Sequence, residues 1–475
     1  MPVVLISTIG LFNPFSITFG NMKKFFCGLL SEKDIGKDVE LFGWVRSKRG
    51  HSGIVFIDLW DSSGLVQGVV EKKSKAFPIA EKLMFEFVVR VKGKVKKRMK
   101  ENPNIPTGKI ELEVNEIEIL NQADPMPFEI VDEVKANEDT RLKYRYLDLR
   151  RPKMQSNIWL RHKIVKSMRE FFYENNFIEV ETPLLTKSTP EGARDYIVPS
   201  RPYRGKFWAL PQSPQIYKQL LMVSGFEKYF QIAKCMRDED LRGDRQPEFS
   251  QLDLEMSFVE QEDIFSTIEA LMKKLFKEVL GKELKSPFPR MSYADAMKKY
   301  KSDKPDTRKE TKQEFSFLWL TDFPLFQLNE EKKIVSEHHP FTSPKKEDLS
   351  LLEKTPLKVR STSYDLVMNG VELGSGSIRI HSPELQQKIF KVLGLSEKEA
   401  MQKFGHLITA FKFGAPPHGG IALGLDRFIM LLAKEESIRD VIAFPKNGRG
   451  IAMLEESPSE IDKKQLDELG LQFKK

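Results

Sequence analysis

From Phe249 to Phe258 the residues alternate between two faces, strictly polar and apolar from Gln251 onward. Phe249, Gln251, Asp253, Glu255 and Ser257 fall on one side, and Leu252, Leu254, Met256 and Phe258 on the other. That period of two predicts a strand with one face on a core and the other lining something polar. The preceding residues, CMRDEDLRGDRQPE from Cys235, form a charged loop containing Gly243 and Pro247. The block therefore reads as strand, loop, strand. A helical period follows in EDIFSTIEALMKKLFKEVLG. Another spans residues 153–175, where Ile158, Ile164, Val165, Met168, Phe171 and Phe172 make one apolar stripe. Asn175 and Asn176 suit its C-terminal cap, since asparagine tolerates the left-handed conformation. A strand, FIEVETPLL, is expected next.

Residues 23–125 carry a different pattern. VELFGWV, GIVFIDLWD, GLVQGVV, FEFVVRVKGKV and KIELEVNEIEIL are five strand-like runs separated by turn formers. Five short strands in about a hundred residues predict a barrel of the OB type. Phe56 and Trp60 share one face of the second run. Periodicity alone leaves two readings, core packing or a platform on which bases stack while Arg46, Lys48 and Arg49 meet phosphates. The predicted layout is an extension over 1–21, the barrel unit over 22–125 and a connector over 126–150. A larger α+β unit over 151–445, containing a Lys-rich linker or trimmed insertion at 281–313, and a tail over 446–475 complete it.

Composition narrows the class. The formal net charge of +8 makes an acidic partner such as nucleic acid plausible. Only Cys27 and Cys235 are present, which excludes a disulfide scaffold and a cysteine-rich zinc site and fits a reducing compartment. No apolar run approaches the roughly 20 residues that span a bilayer, so no membrane partner is expected, and the cytoplasm is the expected location. Residues 1–21 carry no charged side chain, unlike a secretory or transit leader. Met22 is the expected functional start.

Several stretches carry candidate chemistry. LPQSPQIYKQLLMVSG is a turn entering a helix, with Ser213, Gln215 and Lys218 at its start. A lysine there opposes the helix dipole; it is either surface or a ligand group flanked by glutamines. HHPFTSP places His338 beside His339, and one functional histidine suits that pair better than a metal centre. In SYDLVMNGVELGSGSIRIH, Asn369-Gly370 signals a hairpin that can bring Asp365 and Glu372 together. Two carboxylates near a triphosphate suit Mg²⁺. GAPPHGGIALGLDRFIMLLAK is a Gly-rich strand turning into an apolar helix, with Asp426 and Arg427 at the junction.

Together these stretches resemble the class II aminoacyl-tRNA synthetases, and among them the bacterial-type aspartyl enzymes. NNFIEVETPLL resembles motif one, with Asn176 where the family usually has glycine. MRDEDLRGDRQPEFSQLD resembles motif two and GIALGLDRFIMLL motif three; TPEGARDY, QSPQIYKQ, HHPFTSP and GSGSIRIH are further blocks of that family. The resemblance covers residue 22 onward. It implies an antiparallel sheet flanked by helices, an N-terminal anticodon-binding OB barrel and a homodimer. It also implies ligation of L-aspartate to tRNA(Asp) with ATP and Mg²⁺.

The resemblance also assigns roles. Arg237 holds the α-phosphate and the aspartate carboxylate, and Arg427 the γ-phosphate; both count as catalytic. Phe249 stacks on adenine. Asp238, Glu239, Gln246, Glu372, Gly424, Leu425 and Asp426 complete the ATP site, Glu239 also addressing the tRNA acceptor end. Asp365 and Glu372 take Mg²⁺. Glu191 takes the substrate ammonium from a mobile loop. Lys218 and Arg379 grip the side-chain carboxylate, assisted by His338, with Ser213, Gln215 and Asp253 around them. Asparaginyl relatives lack that lysine, so Lys218 implies aspartate. Arg49, His51, Phe56 and Gln67 fall at anticodon-reading positions, and His51 implies that tRNA(Asn) is charged as well. The large insertion usual between motifs two and three is missing. The competing reading is a catalytically inactive synthetase-like protein that binds tRNA or a protein partner.

Overall fold

The computed structural model describes residues 25–189 and 192–473. The expectations for residues 1–21 and for Glu191 lie outside the described residues. The chain divides into two compact units, 1–129 and 130–475.

In the smaller unit the strands are β1 (Asp38–His51), β2 (Ile54–Asp61), β3 (Gly64–Glu71), β4 (Val88–Lys97) and β5 (Ile110–Asn121), with the short helix α1 (Phe77–Ala80) between β3 and β4. They close into a barrel of order β1-β2-β3-β5-β4, the five-stranded arrangement that the runs predict. Alternation decides what faces inward. Val55, Ile57 and Leu59 of β2 are buried in the barrel core with Leu41, Val66, Val91 and Leu112. Phe56, Asp58 and Trp60 fall on the other, half-exposed face. Phe56 and Trp60 are therefore outer-face residues rather than core.

The larger unit begins with α2 (Glu138–Lys143) and α3 (Arg145–Asp148), then α4 (Pro152–Glu174) and β6 (Ile178–Glu179). The expected connector is thus partly built into this unit. Buried Arg145 donates from Nε to the Ala443 carbonyl and from Nη2 to that of Ile442, and it pairs with Asp148. Asn176 caps α4 with φ of 61°. The expected strand FIEVETPLL shrinks to two residues, β6, because Pro183 and the loop after it leave the sheet.

Next come the hairpin β7 (Ile197–Pro199) and β8 (Phe207–Ala209), helix α5 (Gln215–Val223), strands β9 (Lys228–Met236) and β10 (Glu248–Ser257), and helix α6 (Gln261–Leu280). β10 ends at Ser257 because Phe258 adopts φ of 59° and swings out, 69% exposed, so it does not join the apolar face as expected. The 281–313 stretch is folded rather than a linker: it holds β11 (Arg290–Ser292), α7 (Tyr293–Tyr300) and α8 (Arg308–Thr311). After β12 (Phe317–Thr321), β13 (Phe326–Leu328) and β14 (Ile334–Ser336) come β15 (Ser363–Met368) and β16 (Val371–Ile378). Helices α9 (Pro383–Val392) and α10 (Glu397–Phe411), β17 (His418–Gly424) and α11 (Leu425–Ala433) follow.

The main sheet has order β11-β12-β15-β16-β17-β10-β9-β6. It is antiparallel from β12 to β9, with a parallel strand at each edge. Its apolar face packs on α4, α6 and α11. Leu160, Ile164 and Met168 meet Leu252, Leu254, Ile268, Leu271 and Phe428 in one core. The opposite face is polar and walls the cavity described next.

Candidate active site

A cavity of about 430 Å³ opens over β10, β16 and β17. Its floor is the polar side of β10 that alternation predicts. Lys218, Asp253, Glu255 and Arg379 form a buried cluster there, each no more than 3% exposed. Lys218 Nζ donates to Asp253 Oδ1 at 2.7 Å and lies 3.4 Å from Glu255 Oε2. Arg379 clasps Glu255 with two contacts, Nε to Oε1 at 2.9 Å and Nη2 to Oε2 at 3.2 Å. Two cations and two anions cancel, which is the condition for keeping charge out of water. Burial pushes the Glu255 carboxyl up, but Arg379 and Lys218 outweigh it and hold it below the usual range. Burial wins at Asp253, whose carboxyl is raised despite Lys218.

Gly420 explains how Glu255 fits. A Cβ there would lie 2.1 Å from Glu255 Oε2 and equally close to the Leu254 carbonyl oxygen of the neighbouring strand. Gly374 and Gly376 have a similar reason: a Cβ on either would lie 2.2 Å from a carbonyl oxygen of β17. They serve strand approach first, although both also line the cavity.

Arg379 Nη1 donates to Ser377 Oγ at 2.7 Å and lies 2.9 Å from His339 Nε2. The Phe341 N–H donates to His339 Nδ1 at 3.1 Å. Burial, then Arg379, push the His339 ring well below its ordinary pKa, so it is neutral at pH 7. A neutral ring has one acceptor nitrogen, yet two donors face it. A carboxylate oxygen accepting from both Arg379 and His339 would relieve that conflict. On the other side, the Gln219 amide donates to His418 Nε2 at 3.0 Å and Gln215 Nε2 donates to Gln219 Oε1 at 2.9 Å. This chain sets which way the Gln215 amide is turned at the cavity wall. Asp253 Oδ2 is buried with no hydrogen-bond partner, an open acceptor in the wall.

Toward the turn end of β16, at Glu372, the lining changes. Arg237 places its guanidinium 5.1 Å from the centre of the Phe249 ring. Arg427 Nη1 donates to the Glu372 carbonyl at 2.7 Å, and Nη2 lies 3.2 Å from Asp244 Oδ2. Lys304 Nζ is 3.1 Å from Glu372 Oε2. The β15–β16 turn is the two-residue hairpin expected, with Asn369 at φ 55° and Gly370 at φ 80°. Pairing slips at Leu366/Val367: Asp365 faces Ser375, but Val367 faces Glu372. The turn register alone puts Glu372 on the face of Asp365, and the extra residue, Leu373, is a bulge that brings Ser375 and Ser377 onto that same face. His338 Nε2 lies 3.6 Å from Asp365 Oδ1. So the histidine beside Arg379 is His339, and His338 stands at the carboxylate pair.

Other expected residues sit differently. Asp426 is buried; its carboxylate takes Arg161 and the Ser250 N–H, tying α4, β10 and α11 together. Gln246 lines the cavity, but its amide is used in both directions by the Lys446 backbone. Leu425 belongs to the hydrophobic core. Asp238 pairs with Arg194 at 3.4 Å and Glu239 with Arg245 at 3.3 Å. Ser213, Glu239 and Gly424 line the cavity.

Glu255, His339, Gln219, His418 and Lys304 had no assigned role in the sequence. Glu255 was within reach, standing on the polar side of the strand beside Asp253. Gln219 was within reach too, one helical turn after Gln215; His418 depends on strand pairing, and His339 and Lys304 on loop placement, that no local pattern records.

The barrel presents a second surface. Trp44 and Trp60 pack with ring centroids 5.4 Å apart, and the Arg46 guanidinium lies 4.7 Å from the Trp60 ring. Arg49 and His51 are exposed near the end of β1, and Phe56 is half-buried on the same strand pair. Gln67 is buried, its Oε1 without a hydrogen-bond partner.

Comparison with known proteins agrees with this geometry. Residues 137–448 match the family described as tRNA synthetases class II (D, K and N), and residues 39–120 match the OB-fold nucleic acid binding domain. A protein of Dictyoglomus turgidum named aspartate–tRNA(Asp/Asn) ligase is 45% identical, covering 94% of this chain and 97% of its own length. One of Staphylococcus carnosus, named aspartate–tRNA ligase, is 42% identical over 94% of this chain and 99% of its own. An asparaginyl-tRNA synthetase of Pyrococcus horikoshii, solved with asparaginyl-adenylate, shares the fold. Its TM-score is 0.74 at 23% identity, over 89% of this chain and 98% of that one.

Proposed function

This chain belongs to the class II tRNA synthetases of the D, K and N group, and on that premise we propose that it ligates L-aspartate to tRNA(Asp) through an aspartyl-adenylate. The carrying observation is the buried Lys218–Asp253–Glu255–Arg379 cluster at one end of a cavity whose other end holds Arg237 and Arg427. A carboxylate between Lys218, Arg379 and His339 meets donors only. Asparagine would turn an amide NH₂ toward those donors and be rejected. Asp253 Oδ2 is an acceptor for the substrate ammonium.

In the first step an oxygen of the aspartate α-carboxylate attacks the α-phosphorus. The bond to the bridging oxygen breaks and pyrophosphate leaves. Arg237 supplies positive charge where the pentacoordinate phosphorus gains negative charge, and its forked guanidinium suits two oxygens at once. Phe249 offers a face for the adenine. A ribose hydroxyl of the tRNA 3′ end then attacks the acyl carbonyl, AMP leaves with the bonding pair, and the hydroxyl proton is released.

Mg²⁺ enters as part of the nucleotide substrate. Asp365 and Glu372 fit it: they share one face of a hairpin, and Asp365 Oδ1 has no hydrogen-bond partner. Among the described residues no group of three ligating side chains offers a cage, which suits an ion that keeps water and phosphate oxygens.

Several further features belong to the same reading. Barrel residues Trp44, Phe56 and Trp60 with Arg49 and His51 receive the anticodon loop. Charging of tRNA(Asn) is supported by His51 and by the name of the Dictyoglomus relative, though the Staphylococcus name specifies no second tRNA. The Dictyoglomus alignment runs over 573 positions against a chain of 475 residues, which supports loss of the inserted module. A homodimer is supported by apolar Ile178, Leu184, Leu185 and Ile197, all 48–60% exposed around the edge strand β6. The two cysteines support a cytoplasmic location. Nothing at the site favours a binding-only protein, since Arg237 and Arg427 both line the cavity.

Aspartate-dependent exchange of pyrophosphate into ATP tests the proposal. Exchange with aspartate and not asparagine is expected. A folded protein that shows none refutes adenylation and favours the inactive reading.

A further inference from the structure

The 281–313 stretch does more than close a gap in the chain. Lys301 ends α7 in the left-handed conformation, and the following loop is clamped onto the Asn369-Gly370 turn. Buried Thr307 Oγ1 lies 2.7 Å from Ser316 Oγ, which also accepts from Thr311 Oγ1 at 3.0 Å. The Ser316 N–H donates to Asn369 Oδ1 at 2.8 Å, and Asn369 Nδ2 donates to the Glu314 carbonyl at 3.0 Å. A Cβ on Gly370 would come within 3.1 Å of Asp306 Cβ. These contacts deliver Lys304 to the cavity wall, 3.1 Å from Glu372 Oε2.

Stability does not account for that placement. The Lys304 side chain is 43% exposed, and pairs of this kind contribute about 0–1 kcal/mol. What distinguishes Lys304 is its company. Arg427 donates to the backbone carbonyl of the same Glu372, so two cations converge on one residue at one end of the cavity. Three cations there are held by acids: Lys304 by Glu372, Arg427 by Asp244, Arg245 by Glu239. An entering polyanion can exchange partners with them at little cost, because the pairs it replaces are weak and half exposed.

We propose that Lys304 is a further nucleotide-binding residue, gripping the β- and γ-phosphates of ATP beside Arg427. The proposal rests on the reading of the cavity as an ATP site. A flexible ammonium suits phosphate oxygens beyond the reach of a fixed guanidinium fork.

Calorimetric titration of wild type, Lys304→Met and Lys304→Arg with MgATP, AMP, pyrophosphate and aspartate tests it. For Lys304→Met, ATP and pyrophosphate affinity should fall on the order of tenfold, the loss of one charge-assisted contact. AMP and aspartate should bind as to wild type, which also shows that the variant is folded. Lys304→Arg should retain most of the ATP affinity. Unchanged ATP binding in Lys304→Met, or equal weakening of ATP and AMP, overturns the role of Lys304 and leaves the ATP site standing. A wild-type protein that binds neither ATP nor AMP overturns the site reading and this inference together.

Discussion

Lys218→Met is the sharpest test of the buried cluster. Methionine keeps the length and most of the apolar stem of lysine, so the change removes little but the ammonium. Asp253 then loses its 2.7 Å partner, and Glu255 keeps only Arg379. The cluster passes from neutral to one net negative charge inside the protein. Removing one member of a buried pair typically costs about 3–5 kcal/mol, a large part of a usual folding free energy of roughly 5–15 kcal/mol. Thermal denaturation should show a fall in Tm of several degrees. The aspartate carboxylate loses one of its two cations and meets uncompensated negative charge. A loss of about 3 kcal/mol or more corresponds to at least a hundredfold rise in the aspartate Kd. ATP binding, which depends on the far end of the cavity, should hardly change.

A second variant separates folding from binding. Lys218→Met with Asp253→Asn restores neutrality, so Tm should recover most of the loss, while aspartate affinity stays low because the substrate has lost both the Lys218 cation and the Asp253 acceptor. Aspartate titration by calorimetry and pyrophosphate exchange supply the readouts. Wild-type aspartate affinity in Lys218→Met would refute the assignment of Lys218 to the substrate carboxylate. Recovery of aspartate binding in the double variant would show that Lys218 acts only by neutralising Asp253.

Glu255 is held below the usual carboxylate range, so its stability contribution is present above the ordinary value of 4.5 and lost as pH falls through the folded value. Glu255→Gln should therefore lower Tm at pH 7 and approach wild type as pH falls below 4.5; a gap that stays constant with pH speaks against the assignment. Gly420→Ala forces a Cβ to 2.1 Å from both Glu255 Oε2 and the Leu254 carbonyl oxygen and should reduce stability by about 1–3 kcal/mol; an unchanged denaturation midpoint would mean that the cluster and the β10–β17 pairing both relax freely. Phe56→Ala should weaken tRNA binding by about 1–3 kcal/mol through lost stacking without altering pyrophosphate exchange, and a drop in exchange would assign Phe56 to folding. His51→Leu should cut charging of tRNA(Asn) more than that of tRNA(Asp) in aminoacylation assays. A wild type that never charges tRNA(Asn) sinks that part of the proposal.

The barrel and the catalytic strands were readable because both announce themselves by alternation. Alternation put Val55, Ile57 and Leu59 on one face of β2, and the polar file through Asp253 and Glu255 needed no tertiary information. Phe56 and Trp60 show the limit. Alternation groups them but does not say which group is inside, since aromatic residues pack in cores and on binding faces alike. The 281–313 stretch failed differently. Its lysines and prolines look like a linker, yet Thr307, Ser316 and Asn369 pin it with hydrogen bonds between residues far apart in sequence.

By itself the chain determined the order of elements, the two units and the chemical types gathered in the cavity. Strand period, turn residues and helix stripes are properties of a few neighbouring residues, so a sequence holds them completely. The tertiary structure decided who meets whom. It paired Arg379 with Glu255 rather than leaving it free, and set His339, not His338, beside that arginine. It brought Lys304 to Glu372 from a distant loop. It also placed one extra residue in β16, which turns Ser375 and Ser377 onto the face of Glu372. The physical reason is common to all four. Charge and hydrogen-bond partners are chosen by distance in space, and a one-residue bulge or a clamped loop changes those distances while leaving the local pattern untouched.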